Sequence, residues 1–293
     1  KIMFSIIIPL YNKADYIAET LKSVLNQTYC DYEVIVVNDS STDNSLEVAS
    51  SFQDERIHIY TKENEGVSAA RNYGIMHAKY DYIAFLDADD IWESDYLECQ
   101  KKLIEIYPDA GIYSTAFYSL EKGKRKLRNV LINEHIHFLV HDYFKESVMN
   151  GLSICWTSSL CLKKEVIKEI PMFRVGIKRG EDLDLWLRIA LNYDVAYLNL
   201  PKVFYRTGLS DSLTSDYSKN GEFPYYEWFN FTSESSYYRK YVILVVYIHA
   251  KNAFIHHDYD TCLAELWSVK TIAWRFKWAE RLLLLVISWI KSK

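Results

Sequence analysis

The N-terminal third of the chain alternates between two kinds of hydrophobic pattern. FSIIIP at Phe4–Pro9 and YEVIVVND at Tyr32–Asp39 are continuous apolar runs rich in Ile and Val, which is typical of strands buried on both faces. IHIY at Ile57–Tyr60 and YIAFLD at Tyr82–Asp87 are two further predicted strands. Helical patterns lie between these runs. The alternation predicts an α/β fold, with a mostly parallel central sheet flanked by helices.

The spacing of apolar and small residues predicts three helices. The first is predicted to have Asn12 as its N-cap, with Asp15 three residues later. Its apolar positions are Ile17, Leu21, Val24 and Leu25. The second carries small residues on one face, which allows it to lie close to a sheet. The third, Gly180–Leu191, repeats apolar residues at helical spacing. In such folds ligands bind beyond the carboxyl ends of the strands.

Composition narrows the class of protein. The 293 residues and 49% apolar content predict one large domain, or one domain with an appendage. The net charge of −5 gives no basic footprint for nucleic acid. The five cysteines are scattered, which indicates reduced thiols and not a disulfide framework. The first residues do not have the pattern of a signal peptide, so a cytoplasmic location is expected.

The predicted strand Tyr82–Asp87 ends in the run Asp87, Ala88, Asp89 and Asp90. Residues i and i+2 of a strand point to the same side, so the first and third of these would aim their carboxylates at one point. Mg²⁺ and Mn²⁺ prefer oxygen ligands and often combine one or two carboxylates with substrate phosphates. The pattern therefore indicates a metal–diphosphate site. The alternative is an acidic loop in which Asp90 caps the next helix.

Other candidate binding residues lie at the ends of the first two predicted strands and in the segment that follows the third predicted strand. Asp39 is placed to accept hydrogen bonds from a base or a ribose, or to cap a turn. Tyr11 offers a flat face on which a base could stack. Gly66 permits close backbone approach at a helix start, and Arg71 could pair with phosphate or with a nearby carboxylate. Neither dinucleotide-binding nor P-loop glycine motifs occur.

The helix Gly180–Leu191 begins with two carboxylates, Glu181 and Asp182. Asp182 lies at the edge of the apolar stripe, where it could act as a general base, although the helix dipole alone could account for an acidic residue there. Asp184 and Arg188 are spaced i, i+4, and they are predicted to form a surface ion pair.

Two basic segments remain. Five of the seven residues from Lys122 to Arg128 are basic; a solvated hairpin tip is the favoured interpretation, and binding to an anionic lipid or phosphate is the alternative. Residues 270–293 combine Trp and Leu with Lys and Arg, which is typical of a helix lying in a membrane interface. Packing of that helix on the domain is the alternative. Peripheral contact with the inner face of the cell membrane through 270–293 is therefore a hypothesis.

Together these motifs resemble the family 2 glycosyltransferases, which have the GT-A fold. SIIIPLYN, VVNDSSTDNS, NEGVSAARN, FLDADD and GEDLDLWLR occur in the order typical of that family, within residues 3–207. The resemblance implies a GT-A domain at 1–207, with a nucleotide-binding half at about 1–107 and an acceptor half at about 108–207. A C-terminal helical region would occupy 208–293.

The resemblance also implies an inverting enzyme with a nucleotide-sugar donor, most commonly a UDP-sugar, and Mn²⁺ or Mg²⁺ as cofactor. The acceptor would be a hydroxyl of a glycan or of a lipid-linked sugar in surface polysaccharide synthesis. The implied donor-binding residues are Pro9, Tyr11, Asp39, Gly66, Arg71, Asp87 and Ala88. Asp89, with Asp87, would hold the metal, and Asp182 would be the catalytic base.

Glu181, Trp186 and Arg206 are the predicted helpers on the acceptor side. The family often has Tyr-Arg-x-His near the end of the domain, whereas Tyr205 and Arg206 are followed here by Thr207 and Gly208. This chain therefore lacks the histidine that could bind the metal or a phosphate from this loop. Arg206 is predicted to contact phosphate instead.

Three alternative functions stay open at the level of sequence. Transfer to a polyprenyl phosphate would suit the Trp-rich tail. A nucleotidyltransferase would release pyrophosphate in place of a nucleoside diphosphate. A non-catalytic sugar-nucleotide-binding protein would lack turnover. The sugar, the linkage and the oligomeric state are not indicated by any motif.

Overall fold

A computed structural model describes residues 1–209 except 132, 152 and 178, together with 225–228, 232–255, 257–258, 260–262 and 264. The predicted interfacial helix at 270–293 lies outside these residues. In the described part no helix combines the length and apolarity required to cross a membrane. All five cysteines are free thiols.

The described part of the chain contains one ten-stranded sheet, in the order β3-β2-β1-β4-β9-β6-β10-β5, with β7 on β6 and β8 on β10. The strands are β1 Phe4–Leu10, β2 Tyr32–Asn38, β3 Ile57–Thr61, β4 Tyr82–Phe85, β5 Ile91–Trp92, β6 Ile112–Glu121, β7 Lys124–Arg128, β8 His137–Val140, β9 Leu160–Lys163 and β10 Val195–Arg206. β1 to β4, β6 and β10 run in one direction. This confirms the predicted mixed α/β fold with a mostly parallel sheet.

The helices cover both faces of this sheet. They are α1 Ile17–Leu25, α2 Ser45–Ser50, α3 Val67–His77, α4 Tyr96–Ile106, α5 Tyr143–Asn150, α6 Lys164–Glu169, α7 Glu181–Ala190, α8 Tyr225–Trp228 and α9 Tyr238–Ile255, with a 3₁₀ turn at Thr157–Ser159. Alternate residues of β1 enter opposite cores: Ile7 belongs to one hydrophobic cluster, and Ile6 and Ile8 to the other. The continuous apolar runs thus reflect burial on both faces.

Helix α3 lies directly against β1, as its small residues predicted. A Cβ atom added at Gly74 would come within 2.5 Å of the Ile7 Cγ2 atom. Only a residue without a side chain fits at this position, because the sheet and the helix backbone meet there. This close approach places the first turns of α3, including Arg71, beside the end of β4.

Helix α1 begins later than predicted, and Asn12 is not its N-cap. The helix starts at Ile17, because the Lys13 carbonyl accepts the backbone N–H groups of Tyr16 and Ile17 and closes a turn first. Asn12 has a left-handed backbone, with φ of 50°. Its side-chain oxygen accepts the Thr42 N–H at 2.8 Å. Asn12 therefore joins two loops at the carboxyl edge of the sheet.

The predicted i, i+4 ion pair on α7 forms, with Arg188 Nη2 2.9 Å from Asp184 Oδ2, but its predicted place on the surface is wrong, because both residues are buried. Asp184 accepts hydrogen bonds from Arg188 Nε at 2.9 Å and from Trp228 Nε1 at 2.8 Å. Arg174 Nε lies 3.5 Å from the same carboxylate, and Arg174 also pairs with Glu227. These five residues are called the anchor cluster. It connects α7 to α8, which the apolar spacing of α7 alone could not reveal.

Candidate functional site

The three carboxylates after β4 each have a different partner, so their mutual repulsion is offset. Asp87 Oδ1 lies 2.8 Å from Arg71 Nη2. Asp89 Oδ2 lies 3.0 Å from Lys13 Nζ. Asp90 is completely buried. Residues 87–90 are called the acidic turn. This turn places Asp87 and Asp89 at the edge of the sheet and directs Asp90 into the protein.

Asp90 does not cap the next helix; residue Asp95 occupies the N-cap position of α4. The Asp90 carboxylate instead accepts hydrogen bonds from Ser158 Oγ at 2.5 Å and from the Arg206 backbone N–H at 3.1 Å. Burial, followed by repulsion from the other two carboxylates of the turn, raises the pKa of Asp90 well above its ordinary value. Asp90 therefore links the turn to the end of β10.

Arg206 completes this link. Its Nη1 donates to the Asp89 carbonyl oxygen at 2.6 Å, and its Nη2 pairs with Glu19. The guanidinium also lies 5.4 Å from the centre of the Tyr16 ring. Its predicted contact with phosphate stays a prediction. Arg206 is the arginine of the Tyr-Arg-x-His pattern, in which Gly208 replaces the histidine. The structure shows that it holds the backbone of the acidic turn.

Arg71 joins the acidic turn to helix α7. It is 3% exposed, and its guanidinium pairs with Asp87 on one side and with Glu181 Oε1, at 2.8 Å, on the other. Burial alone would lower its pKa, but Asp87 and Glu181 outweigh burial and raise it. Arg71 therefore stays charged and is the centre of a bridge between two distant parts of the sequence.

Asp182 lies in the first turn of α7, next to this bridge. Its Oδ1 accepts the Leu183 N–H at 2.7 Å, and its Oδ2 accepts the Thr157 hydroxyl at 3.0 Å. Burial raises the pKa of Asp182, and Arg71 opposes the rise. Burial and then the neighbouring Asp182 raise the pKa of Glu181 to about 7.

Arg71 thus pairs with Asp87 and Glu181, and the nearby carboxylate of Asp182 adds to the negative charge that acts on it. These four residues are called the site cluster. Because the cluster has three carboxylates and one fixed cation, it has a surplus of negative charge whenever all three are ionised. Such a site favours a cationic group or a group that takes up a proton.

The predicted nucleoside-binding residues lie at the same edge of the sheet. Tyr11 follows β1 and is 45% exposed, so its ring is open for stacking. Asp39 is buried, and its carboxylate accepts the Gly66 N–H at 2.8 Å and the Lys62 ammonium at 3.0 Å. Gly66 has φ of 90°, which favours glycine, and it begins α3. Pro9 and Ala88 lie in β1 and in the acidic turn.

Trp186 differs from the other predicted site residues because it is completely buried. Its ring contacts Phe85 and Phe173, with centroid distances of 6.0 and 5.7 Å. In this conformation the indole has no open side for an acceptor. Its packing holds α7 against the end of β4, and so it positions Asp182 from beneath.

The chemistry of the donor set fits a divalent ion, although in the described part of the chain no group of three or more His, Cys, Asp or Glu is arranged to hold one. Asp89 and Asp87 supply hard oxygen atoms, and Mg²⁺ often uses only one or two carboxylates together with substrate phosphates. Burial and Asp87 raise the pKa of Asp89, whereas Lys13 opposes the rise. A cation at this position would stabilise both carboxylates.

Sequence reasoning missed Lys13, Thr157 and Ser158. Lys13 pairs with Asp89, Thr157 with Asp182, and Ser158 with Asp90. The last two lie in the turn before β9, which reverses direction between β4 and β6. No motif marks that turn in the sequence; its side chains become important only because the reversed strand brings it beneath the site.

Comparison with known proteins identifies the class. The family model described as "Glycosyl transferase family 2" matches residues 5–170, which is more than half of the chain. The chain therefore belongs to the family 2 glycosyltransferases.

Curated relatives agree with this assignment. The putative teichuronic acid biosynthesis glycosyltransferase TuaG of Bacillus subtilis is 32% identical over 200 residues, covering 67% of this chain and 75% of TuaG. Glycosyltransferase GlyA of Streptococcus pneumoniae is 31% identical over 69% of this chain, but the match covers 30% of GlyA. An uncharacterised glycosyltransferase of Rickettsia felis is 36% identical over 64% of this chain and 30% of its own length. The chain thus spans less than a third of some of these relatives.

Solved structures confirm the fold. The crystal structure of S. aureus TarS residues 1–349 in complex with UDP-GlcNAc matches with a TM-score of 0.72 and 18% identity, covering 90% of this chain and 80% of the TarS chain. At this identity the likeness establishes the GT-A architecture.

Proposed function

We propose that this protein is an inverting glycosyltransferase that moves a sugar from a UDP-sugar to a hydroxyl of a glycan or lipid-linked acceptor in surface polysaccharide synthesis. The site cluster carries this proposal. A carboxylate from α7, Asp182, lies beside the Arg71 bridge to the acidic turn after β4. A base and a donor-binding edge are thereby brought together from positions about a hundred residues apart in the sequence.

In the proposed reaction Asp182 takes the proton of the acceptor hydroxyl. The hydroxyl oxygen forms a bond to the anomeric carbon on the face opposite the diphosphate, and the bond from that carbon to the diphosphate oxygen breaks. The electron pair leaves with the nucleoside diphosphate. Thr157 and the Leu183 N–H hold the Asp182 carboxylate in place, and its raised pKa makes it a better proton acceptor than an ordinary aspartate.

On the donor side Asp89 and Asp87 would hold Mn²⁺ or Mg²⁺. When bound, the ion would neutralise charge on the diphosphate leaving group. Tyr11 would stack on the base, and Asp39 is placed near it at the ends of β1 and β2. Asp39 already has backbone N–H partners, so donor binding would add to an ordered carboxylate.

Two comparisons support the donor and the pathway. The TarS structure with the same fold contains UDP-GlcNAc. TuaG is described as a teichuronic acid biosynthesis enzyme, and another relative, 33% identical over 51% of this chain, is the chondroitin synthase of Pasteurella multocida. These relatives favour a polysaccharide acceptor over a small molecule.

The test is a screen of nucleotide sugars by thermal unfolding, with and without Mn²⁺, followed by an assay of the released nucleotide. A specific donor should raise the melting temperature by mass action, and the rise should depend on the metal. Asp89→Ala should remove the metal-dependent part of the shift. Release of nucleoside diphosphate supports the proposal, whereas release of pyrophosphate, or stabilisation by no donor, contradicts it.

A further inference from the structure

The hairpin formed by β6 and β7 carries charge that the proposed reaction does not use. Lys122 and Gly123 form its two-residue turn, and both have positive φ, 47° and 77°. Such turns match the twist of paired strands. All five residues of β7 are exposed. Residues 117–128 are called the basic hairpin.

The cations of the basic hairpin have few acidic neighbours in the part of the chain that the structure describes. Across the described residues, none of its five Lys and Arg side chains forms an ion pair with a carboxylate. The hairpin has one acid, Glu121, opposite Lys124 in the strand register. The whole chain is acidic, at −5. A concentrated positive surface on an acidic protein is suited to an anionic partner.

The alternation of the strand separates these cations into two groups. Lys124, Lys126 and Arg128 share one face of β7, at a spacing of about 6.8 Å. Arg125 lies on the opposite face, where its guanidinium covers the Phe204 ring at 4.5 Å. The first group therefore places three positive charges on one face of the strand, where Arg128 Nε donates to Ser119 Oγ at 3.2 Å, and Arg125 packs on the sheet.

The charges on this face of β7 are connected to the catalytic base by aromatic residues. Arg128 is opposite Phe117 in register, and the Phe117 ring lies 5.4 Å from that of Trp156. Trp156, in turn, lies 4.6 Å from the Tyr205 ring, and both are partly exposed. The residue after Trp156 donates its hydroxyl to Asp182. Flat aromatic faces are suited to contact with sugar rings.

We propose that the basic hairpin is the docking surface for an anionic glycan acceptor. Its carboxylates or phosphates would lie along Lys124, Lys126 and Arg128, while its end passes Trp156 and Tyr205 to Asp182. The proposal rests on the glycosyltransferase function proposed above and adds the acceptor class. A membrane fits less well, because β7 has one exposed large apolar residue, Leu127, whereas an interfacial segment has a broad apolar face.

The experiment compares binding of the full chain to three octasaccharides: one with alternate glucuronates, one with alternate phosphates and one uncharged. The variant is Lys124→Glu/Lys126→Glu. The matched control is Lys22→Glu/Lys145→Glu, which makes the same change in net charge at exposed positions on α1 and α5. Vesicles of phosphatidylcholine with and without phosphatidylglycerol are the membrane arm. Thermal shift with nucleotide sugars is run on every protein.

The native chain should bind at least one anionic octasaccharide, with an affinity that falls as salt rises, and should not bind the uncharged one. The hairpin variant should weaken this binding about tenfold, whereas the control should change it less than about twofold. Comparing the two anionic probes identifies carboxylate or phosphate as the preferred group.

Equal binding by the hairpin variant and the control would overturn the proposal. Binding of none of the anionic probes, or hairpin-dependent binding only to anionic vesicles, would do so as well. The donor shift should survive in the hairpin variant. If no nucleotide sugar stabilises the native chain, the proposed enzymatic function fails, but a hairpin-dependent interaction with an anionic glycan is still measured independently.

Discussion

Helix α7 contributes carboxylates to two arginine clusters whose charges are balanced differently. The site cluster has three carboxylates, Asp87, Glu181 and Asp182, and one cation, Arg71. In the anchor cluster Arg174 and Arg188 are matched by Asp184 and Glu227, and Trp228 adds a neutral donor. The difference teaches that the anchor cluster has a carboxylate for each of its arginines, whereas the site cluster has more carboxylates than cations; we therefore expect the first to stabilise the fold and the second to take part in the proposed reaction.

The largest expected effect separates the clusters by activity. Asp182→Asn should lower kcat by about 10²–10⁴-fold, because general-base assistance is lost. Its thermal stability and donor-induced shift should stay close to those of the native chain. Kinetics with saturating donor, together with thermal unfolding, measure this. Retention of the full rate would remove Asp182 from the mechanism.

The second effect separates the clusters by stability. Asp184→Asn should destabilise the protein by about 3–5 kcal/mol, because the buried Arg188 guanidinium loses its carboxylate partner. Asp194→Asn is the matched control; Asp194 forms an exposed pair with His141, so its loss should cost less than about 1 kcal/mol. Urea unfolding of both variants measures the difference. Equal losses would show that the anchor cluster does not stabilise the fold.

A smaller effect tests the connection to α8. Trp228→Phe keeps an aromatic ring but removes the N–H that donates to Asp184 Oδ1. Stability should fall by about 2 kcal/mol, as for a lost hydrogen bond to a charged group. The fall should be smaller in an Asp184→Asn background, because the hydrogen bond then goes to a neutral amide oxygen, and double-mutant unfolding experiments detect this coupling. Additive losses in the double variant would mean that the two residues act separately.

The last effect concerns pH. The pKa of Glu181 is raised from 4.5 to about 7, so the folded state holds a proton that the unfolded state has released between these values. Its contribution to stability is therefore complete below pH 4.5 and is lost as pH rises through 7. Urea midpoints at pH 5 and pH 8 should differ less in Glu181→Gln than in the native chain. An unchanged pH difference in the variant would show that Glu181 is not the group responsible.

Sequence patterns predicted the parts of the site that depend on strand ends. Asp87 and Asp89 follow β4 directly, and continuous apolar runs placed that strand inside a parallel sheet. Helical spacing predicted the pairing of Asp184 with Arg188, but it could not predict the burial of the pair or the contact with Trp228, which lies 44 residues away. Thr157 was missed for the same reason: a contact made by a reversed strand has no local signal.

The hydrogen bonds between Arg206 and the acidic turn set a lower limit on the length of a fragment that keeps this turn intact. The family match ends at residue 170, yet the turn that presents Asp89 is held by the backbone and side chain of residue 206. A polypeptide cut at 170 would lose the last strand of this support and the whole of α7. The smallest fragment able to keep its acidic turn in shape therefore extends through β10, well beyond the segment that defines the family.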